Sequence, residues 1–265
     1  MEATMAEPRW RTLPATPELP ATTREGYVAV DGIKIWYAVY GSGEPVIMLH
    51  GGLANSNYWG HQVPELAKSY QVIVMDSRGH GRSTRNADPF SYDRMASDVI
   101  ALMDDLTVST AAVIGWSDGA IIGLKLVIAN PGRVSRLFAF AANSDPSGIY
   151  DLSDSRMFEN YSQRTRDEYE KLSSTPVEYD DFLEQMEKMW GSQPNITKSD
   201  LRNLEHPIWV AAGDHDEIVR RTDTLFIAEN IPGAGLLIQP EVSHFSHLQN
   251  PHDFTQDLFR FLRAH

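Results

Sequence analysis

Six short, uninterrupted apolar runs limit what this chain can fold into. They occupy residues 46–49, 72–75, 111–114, 137–140, 208–211 and 236–238. A strand that is apolar on both faces belongs inside a parallel sheet with helices on either side. Helix-length segments separate most of the runs. Residues 58–68 and 92–106 carry apolar side chains at helical spacing, and 117–130 is apolar nearly all round before Pro131-Gly132 stops it. Phe254, Leu258 and Leu262 form a four-spaced stripe on a terminal helix. Such alternation predicts a doubly wound α/β layer. Ahead of it, residues 27–30 and 33–40 flank Asp31-Gly32, a hairpin signal because both turn positions favour positive φ.

The alternation breaks between residues 143 and 206. That stretch has no clear strand but holds charged, amphipathic helical pieces at 157–172 and 179–190. It is too long for a plain loop and reads as a small helical cap over the C-terminal edge of the sheet. The expected organisation is a flexible N-terminal tail over 1–25, the first part of the core over 26–142, the cap over 143–206 and the second part of the core over 207–265. A chain of 265 residues with 42% hydrophobic content can bury one sizeable core of this kind.

The formal charge of −13 disfavours nucleic acid and anionic membrane surfaces as partners. The absence of cysteine excludes thiol catalysis, disulfides and Cys-based metal sites. No apolar run is long enough to span a bilayer. The Pro-, Ala- and Thr-rich N-terminus has no apolar signal core. A cytoplasmic protein is expected, the alternative being an exported one whose signal peptide has been removed. The expected partner is a small-molecule substrate, and the expected state a monomer or homodimer.

Four segments carry chemistry, each just past the C-terminal end of an expected strand, where open α/β sheets bind ligands. Gly115-Trp116-Ser117-Asp118-Gly119 stands where an apolar strand meets an apolar helix. A serine there occupies a strained turn and presents its hydroxyl at a helix N-terminus; the alternative is that Ser117 merely caps the helix. His50-Gly51-Gly52-Leu53 can aim a backbone N–H of Gly52, or of Leu53, at a substrate oxyanion, with the N–H of Asp118 as second donor. His50 itself reads as a packed loop residue. The segments 213–219 (Gly-Asp-His-Asp-Glu-Ile-Val) and 240–245 (Pro-Glu-Val-Ser-His-Phe) supply a carboxylate and an imidazole to activate the serine. His61, His80, His206, His215 and His252 read as surface or packing residues, and Asp214 and Glu217 as solvated loop residues. No cofactor or metal is expected, since adjacent acidic residues seldom converge on one ion.

From Tyr27 onward the chain resembles the α/β-hydrolases. The resemblance rests on the His50-Gly51-Gly52 turn, the stretch 76–83 (Asp-Ser-Arg-Gly-His-Gly-Arg-Ser), the serine elbow, the acid loop and the histidine loop. It implies the α/β-hydrolase fold, a mostly parallel doubly wound sheet. It also implies a Ser117–Asp216–His244 triad: the family's acid stands three residues past the strand-closing glycine, which selects Asp216 over Asp214. His247 is the second choice for the base. Within the family the elbow is most similar to valacyclovirase-like (biphenyl hydrolase-like) serine esterases. Their carboxylate beside the nucleophile receives the substrate's ammonium group, and Asp118 occupies that place; the alternative is that Asp118 supports its own helix N-terminus.

The implied activity is serine-mediated cleavage of a carboxylic ester of a small substrate, with a preference for α-amino-acid esters as its refinement. Other chemistries share the scaffold: carbon–carbon bond hydrolysis, lactone opening, perhydrolysis and amide cleavage at an N-terminal residue. A non-catalytic binding protein would normally have lost part of the triad. Trp116 is a candidate substrate contact, and Phe158, Tyr161, Phe182 and Trp190 either line an apolar pocket or pack in the core.

Overall fold

All six apolar runs and both arms of the hairpin enter one eight-stranded sheet in the computed structural model, which describes residues 7–264. The strands are β1 (Glu25–Val30), β2 (Ile33–Tyr40), β3 (Pro45–Leu49), β4 (Gln71–Met75), β5 (Ala111–Trp116), β6 (Val134–Phe140), β7 (Ile208–Gly213) and β8 (Gly235–Gln239). Their order across the sheet is β1-β2-β4-β3-β5-β6-β7-β8. β2 pairs antiparallel with β1 and β4, and all other neighbours are parallel. Asp31 and Gly32 turn the hairpin with φ of 45° and 79°, as a tight two-residue turn requires. β5 is buried along its whole length, which is why its sequence shows no alternation.

The helices are α1 (Val63–Leu66), α2 (Tyr92–Asp105), α3 (Asp118–Ala129), α4 (Arg156–Leu172), α5 (Tyr179–Trp190), α6 (Lys198–Arg202), α7 (Arg221–Asn230), α8 (Ser246–Gln249) and α9 (Pro251–Arg263). α3 packs on β3, β5 and β6, and α9 on α1 and β6. None of the described helices is long and apolar enough to cross a membrane. The chain runs from β3 to β4 on one side and returns to β5 on the other, so the strand order switches at β3 and β5. A crevice opens at such a switch point.

Helices α4, α5 and α6 fill the interval between β6 and β7. The buried side chains of α4 are Tyr161, Thr165 and Tyr169, and those of α5 include Phe182, Met186 and Met189. These spacings give each helix one apolar face, and the two faces meet where Tyr169 stacks on Phe182 at 5.1 Å.

Two local expectations need correction. Residues 58–68 form not one helix but a 3₁₀ turn (Ser56–Trp59) and the single turn α1. Gly60 lies against the Glu18 carbonyl, and Pro64 can only begin a helix. Nor do residues 7–24 form a free tail. They have little regular structure, yet Leu13 and Leu19 pack on the core and the Thr22 hydroxyl donates to the Val39 carbonyl at 2.9 Å. The segment is held by scattered contacts, among them the backbone carbonyls of Thr12, Leu13 and Pro14, which give its sequence no periodic pattern. Residues 1–6 of the expected tail lie outside the described residues.

Candidate active site

Glycine allows the turn after β5 to be sharp. A Cβ on Gly119 would overlap the Leu49 carbonyl at the end of β3, so α3 can start directly against β3 only with glycine there. Ser117 forms the corner with φ 56° and ψ −122°, a left-handed backbone that costs on the order of 1–3 kcal/mol. Its neighbours hold it there. The Ser117 N–H donates to the Phe140 carbonyl at 2.8 Å, and its own carbonyl accepts from Ala120 at 2.8 Å and Ile121 at 3.1 Å. The hydroxyl does not cap α3; Ser117 instead lines a cavity beneath the cap. Simple capping therefore does not account for the serine.

β3 leads into the glycine turn beside this corner. His50 is buried, which pushes its pKa down, and its Nε2 accepts from the Ser77 N–H at 2.9 Å. The ring proton then sits on Nδ1, which donates to the Gly51 carbonyl at 2.7 Å. Tyr161 of α4 donates its hydroxyl to the Gly52 carbonyl at 2.6 Å. In a planar trans peptide, holding the carbonyl also aims the following N–H. These two contacts therefore orient the N–H groups of Gly52 and Leu53. Gly52 and Asp118 reach the cavity wall, whereas Leu53 is buried behind it with φ 63°.

Gly213 ends β7 so close to the carbonyls of Val242 and Ser243 that no side chain fits. The loops after β7 and β8 are thereby pressed together. Asp216 Oδ1 accepts from the N–H groups of Ile218 at 2.9 Å and Val219 at 2.8 Å. Both carboxylate oxygens lie 3.1 Å from Nδ1 of His244. Asp214 instead accepts from the Val242 N–H at 3.3 Å. Burial alone would lower the His244 pKa, but Asp216, with Glu217 and Asp118 behind it, outweighs burial and raises it above 6.5. With Nδ1 on a carboxylate, Nε2 is the nitrogen left to accept a proton. His244 and Ser117 both line the cavity. Among the described residues their side chains share it without a formed hydrogen bond, a contact that commonly tightens when substrate binds.

His247 packs away from this cavity. Its ring lies 4.3 Å from that of Trp116, is fully buried, and has its pKa pushed well down by burial. Trp116 lines the cavity but is 1% exposed, and its indole donates to the His244 carbonyl at 2.9 Å. It thus supports the histidine loop as well as forming wall. Phe158, Tyr161 and Trp190 also line the cavity, whereas Phe182 is buried within the cap. The cavity is small, about 70 Å³.

Asp118 is buried beside Ser117. Tyr92 donates to its Oδ1 at 2.8 Å and Trp190 to its Oδ2 at 2.9 Å. Burial raises its pKa against these two hydrogen bonds. The Trp190 contact also ties α5 of the cap to the elbow. Glu217, expected to be a solvated loop residue, accepts from the His244 N–H at 3.2 Å and the Ser243 hydroxyl at 3.3 Å. Burial, then the neighbouring Asp216, raises its pKa. The sequence signal for it was weak: a second acidic residue directly after the triad acid.

Residues 44–179 match the family model described as alpha/beta hydrolase fold. That is just over half of the chain, and the chain belongs to this family. It is 28% identical to serine hydrolase BPHL of Homo sapiens over 254 residues, covering 89% of this chain and 85% of that protein. It is 27% identical to 3-oxoadipate enol-lactonase 2 of Acinetobacter baylyi, covering 84% of this chain and 90% of that one. Among solved structures it resembles Est816, described as an N-acyl homoserine lactone degrading enzyme, with a TM-score of 0.72 and 28% identity over 89% of this chain and 100% of that one. The chain is a hydrolase.

Proposed function

We propose that this enzyme cleaves carboxylic esters of small substrates through an acyl–Ser117 intermediate and prefers α-amino-acid esters. The supporting observation is His244, held by Asp216 behind it, on the wall of the cavity that Ser117 lines from its strained turn. His244 takes the Ser117 proton as the hydroxyl attacks the carbonyl, and Asp216 steadies the imidazolium. The N–H groups of Asp118 and of Gly52 or Leu53 receive the oxyanion. The alcohol leaves with the proton held by His244. Water, deprotonated by His244, then releases the acid and restores Ser117.

Asp118 supports the amino-ester preference. Its hydrogen-bond donors are both neutral, and among the described residues it makes no ion pair. A carboxylate whose hydrogen-bond partners are neutral would attract a substrate ammonium beside the scissile carbonyl. The small cavity suits a short acyl group. Lactone opening is the second reading, favoured by what the names of two relatives say of those proteins. It uses the same attack on a cyclic ester.

A panel of nitrophenyl esters with and without an α-amino group, plus small lactones, tests this on wild type and Asp118→Asn. Losing a charged contact worth about 1.5–3 kcal/mol should lower kcat/KM on amino esters about tenfold or more, with little change on the others. Equal losses across the panel would make Asp118 purely structural. Turnover confined to lactones would favour the second reading, and no turnover at all would defeat the proposal.

A further inference from the structure

Residues 8–18 run from the catalytic loops to helix α4 of the cap and contact both. At one end the Trp10 indole stacks on the His215 imidazole, ring centres 4.1 Å apart and planes within 9°. His215 immediately precedes Asp216. The Thr12 carbonyl accepts from Nε2 of Gln249 at 2.8 Å. The same amide donates to Ser243 Oγ at 2.9 Å and accepts from the Ser243 N–H at 2.7 Å, and Ser243 immediately precedes His244. At the other end the Arg164 guanidinium donates to the Leu13 carbonyl at 2.7 Å and to the Pro14 carbonyl. Thr16 donates to Oε1 of Glu168. The second oxygen of Glu168 accepts from Asn55 at 3.1 Å, two residues beyond Leu53.

Helical spacing connects these contacts to the chemistry. Tyr161, Arg164 and Glu168 stand three and four residues apart on α4, and so share one face. Tyr161 holds the Gly52 carbonyl, while Arg164 and Glu168 hold the segment ahead of β1. α4 therefore links that segment to the oxyanion turn.

We propose that residues 8–18 are a positioning strap for catalysis, fixing the acid loop, the histidine loop and, through α4, the oxyanion turn relative to one another. The proposal rests on the acyl-transfer reading above. The three loops leave separate strands, and a displacement of about 1 Å between them costs on the order of 10²-fold in rate. The strap's side chains are half-buried or exposed, so loosening it should disturb the loops far more than the core.

Full-length Trp10→Ala, Thr16→Val and the double variant test the strap, with Thr16→Ser as the conservative rescue. Each single variant should lower kcat about tenfold while KM stays within about threefold. The unfolding midpoint should move by less than about 4 °C. Thr16→Ser should recover most of the activity, because it restores the donor to Glu168. A double variant with kcat within about twofold of wild type would overturn the proposal. So would a loss that only tracks the fraction unfolded. Hydrogen exchange separates this idea from the acyl-transfer reading, because it needs no substrate. The double variant should exchange faster in α4 and in residues 213–219, and unchanged exchange there would sink the strap whatever the ester panel shows.

Discussion

His244 sits among three carboxylates with different tasks. Asp216 holds Nδ1, Glu217 holds the backbone N–H of the same residue, and Asp118 acts through space across the cavity. Their combined field overcomes the burial that would otherwise lower the imidazole's pKa, so the protonated form persists above pH 6.5. Only the neutral ring can take the serine proton. The account therefore predicts that kcat/KM rises with pH along a limb centred above 6.5. In Asp216→Asn that limb should move to lower pH, because burial then acts with less opposition. The rate should also fall on the order of 10⁴-fold as the ring loses its tautomer control. A pH–rate profile of both proteins checks this, and an unmoved limb would show that another group sets it.

The elbow shows how far local sequence determines an element. Gly115, Ser117 and Gly119 name a strand-to-helix turn, and the turn forms because β3 crowds α3 where only glycine fits. Gly119→Ala should destabilise the fold by about 3 kcal/mol, since backbone rather than a flexible side chain must move. Urea unfolding measures it, and a cost below about 0.5 kcal/mol would mean that β3 and α3 can part freely. The sheet was legible for the same kind of reason: short apolar runs separated by helix-length segments fit the strands of a covered parallel sheet, and Asp31-Gly32 between two apolar runs fits a tight turn, although on the edge strand β8 Leu236 stands exposed. Residues 58–68 misled because Tyr58 and Trp59 carry a helical apolar pattern although they enter the core on a 3₁₀ turn. The triad residues were legible from loop position, whereas Tyr161, Glu217 and Gln249 were not. Their contributions are a few hydrogen bonds each to residues of other loops and elements, and no spacing in the chain encodes those.

At the scale of the whole molecule, the sheet sets where each catalytic loop begins, and the cap and the N-terminal strap hold where each loop ends. α5 reaches the elbow through Trp190 and Asp118, and α4 reaches the oxyanion turn through Tyr161. The composition of residues 7–24 reads as a free tail, because a segment held by scattered side-chain contacts and backbone carbonyls needs no apolar periodicity.

The central claim is that His244 activates Ser117 for attack, and a fluorophosphonate probe followed by peptide mass spectrometry tests it most directly. The account predicts one label, on Ser117, absent from Ser117→Ala and formed at least about 10²-fold more slowly in His244→Ala. A label on another residue, or an unchanged rate in His244→Ala, would contradict it.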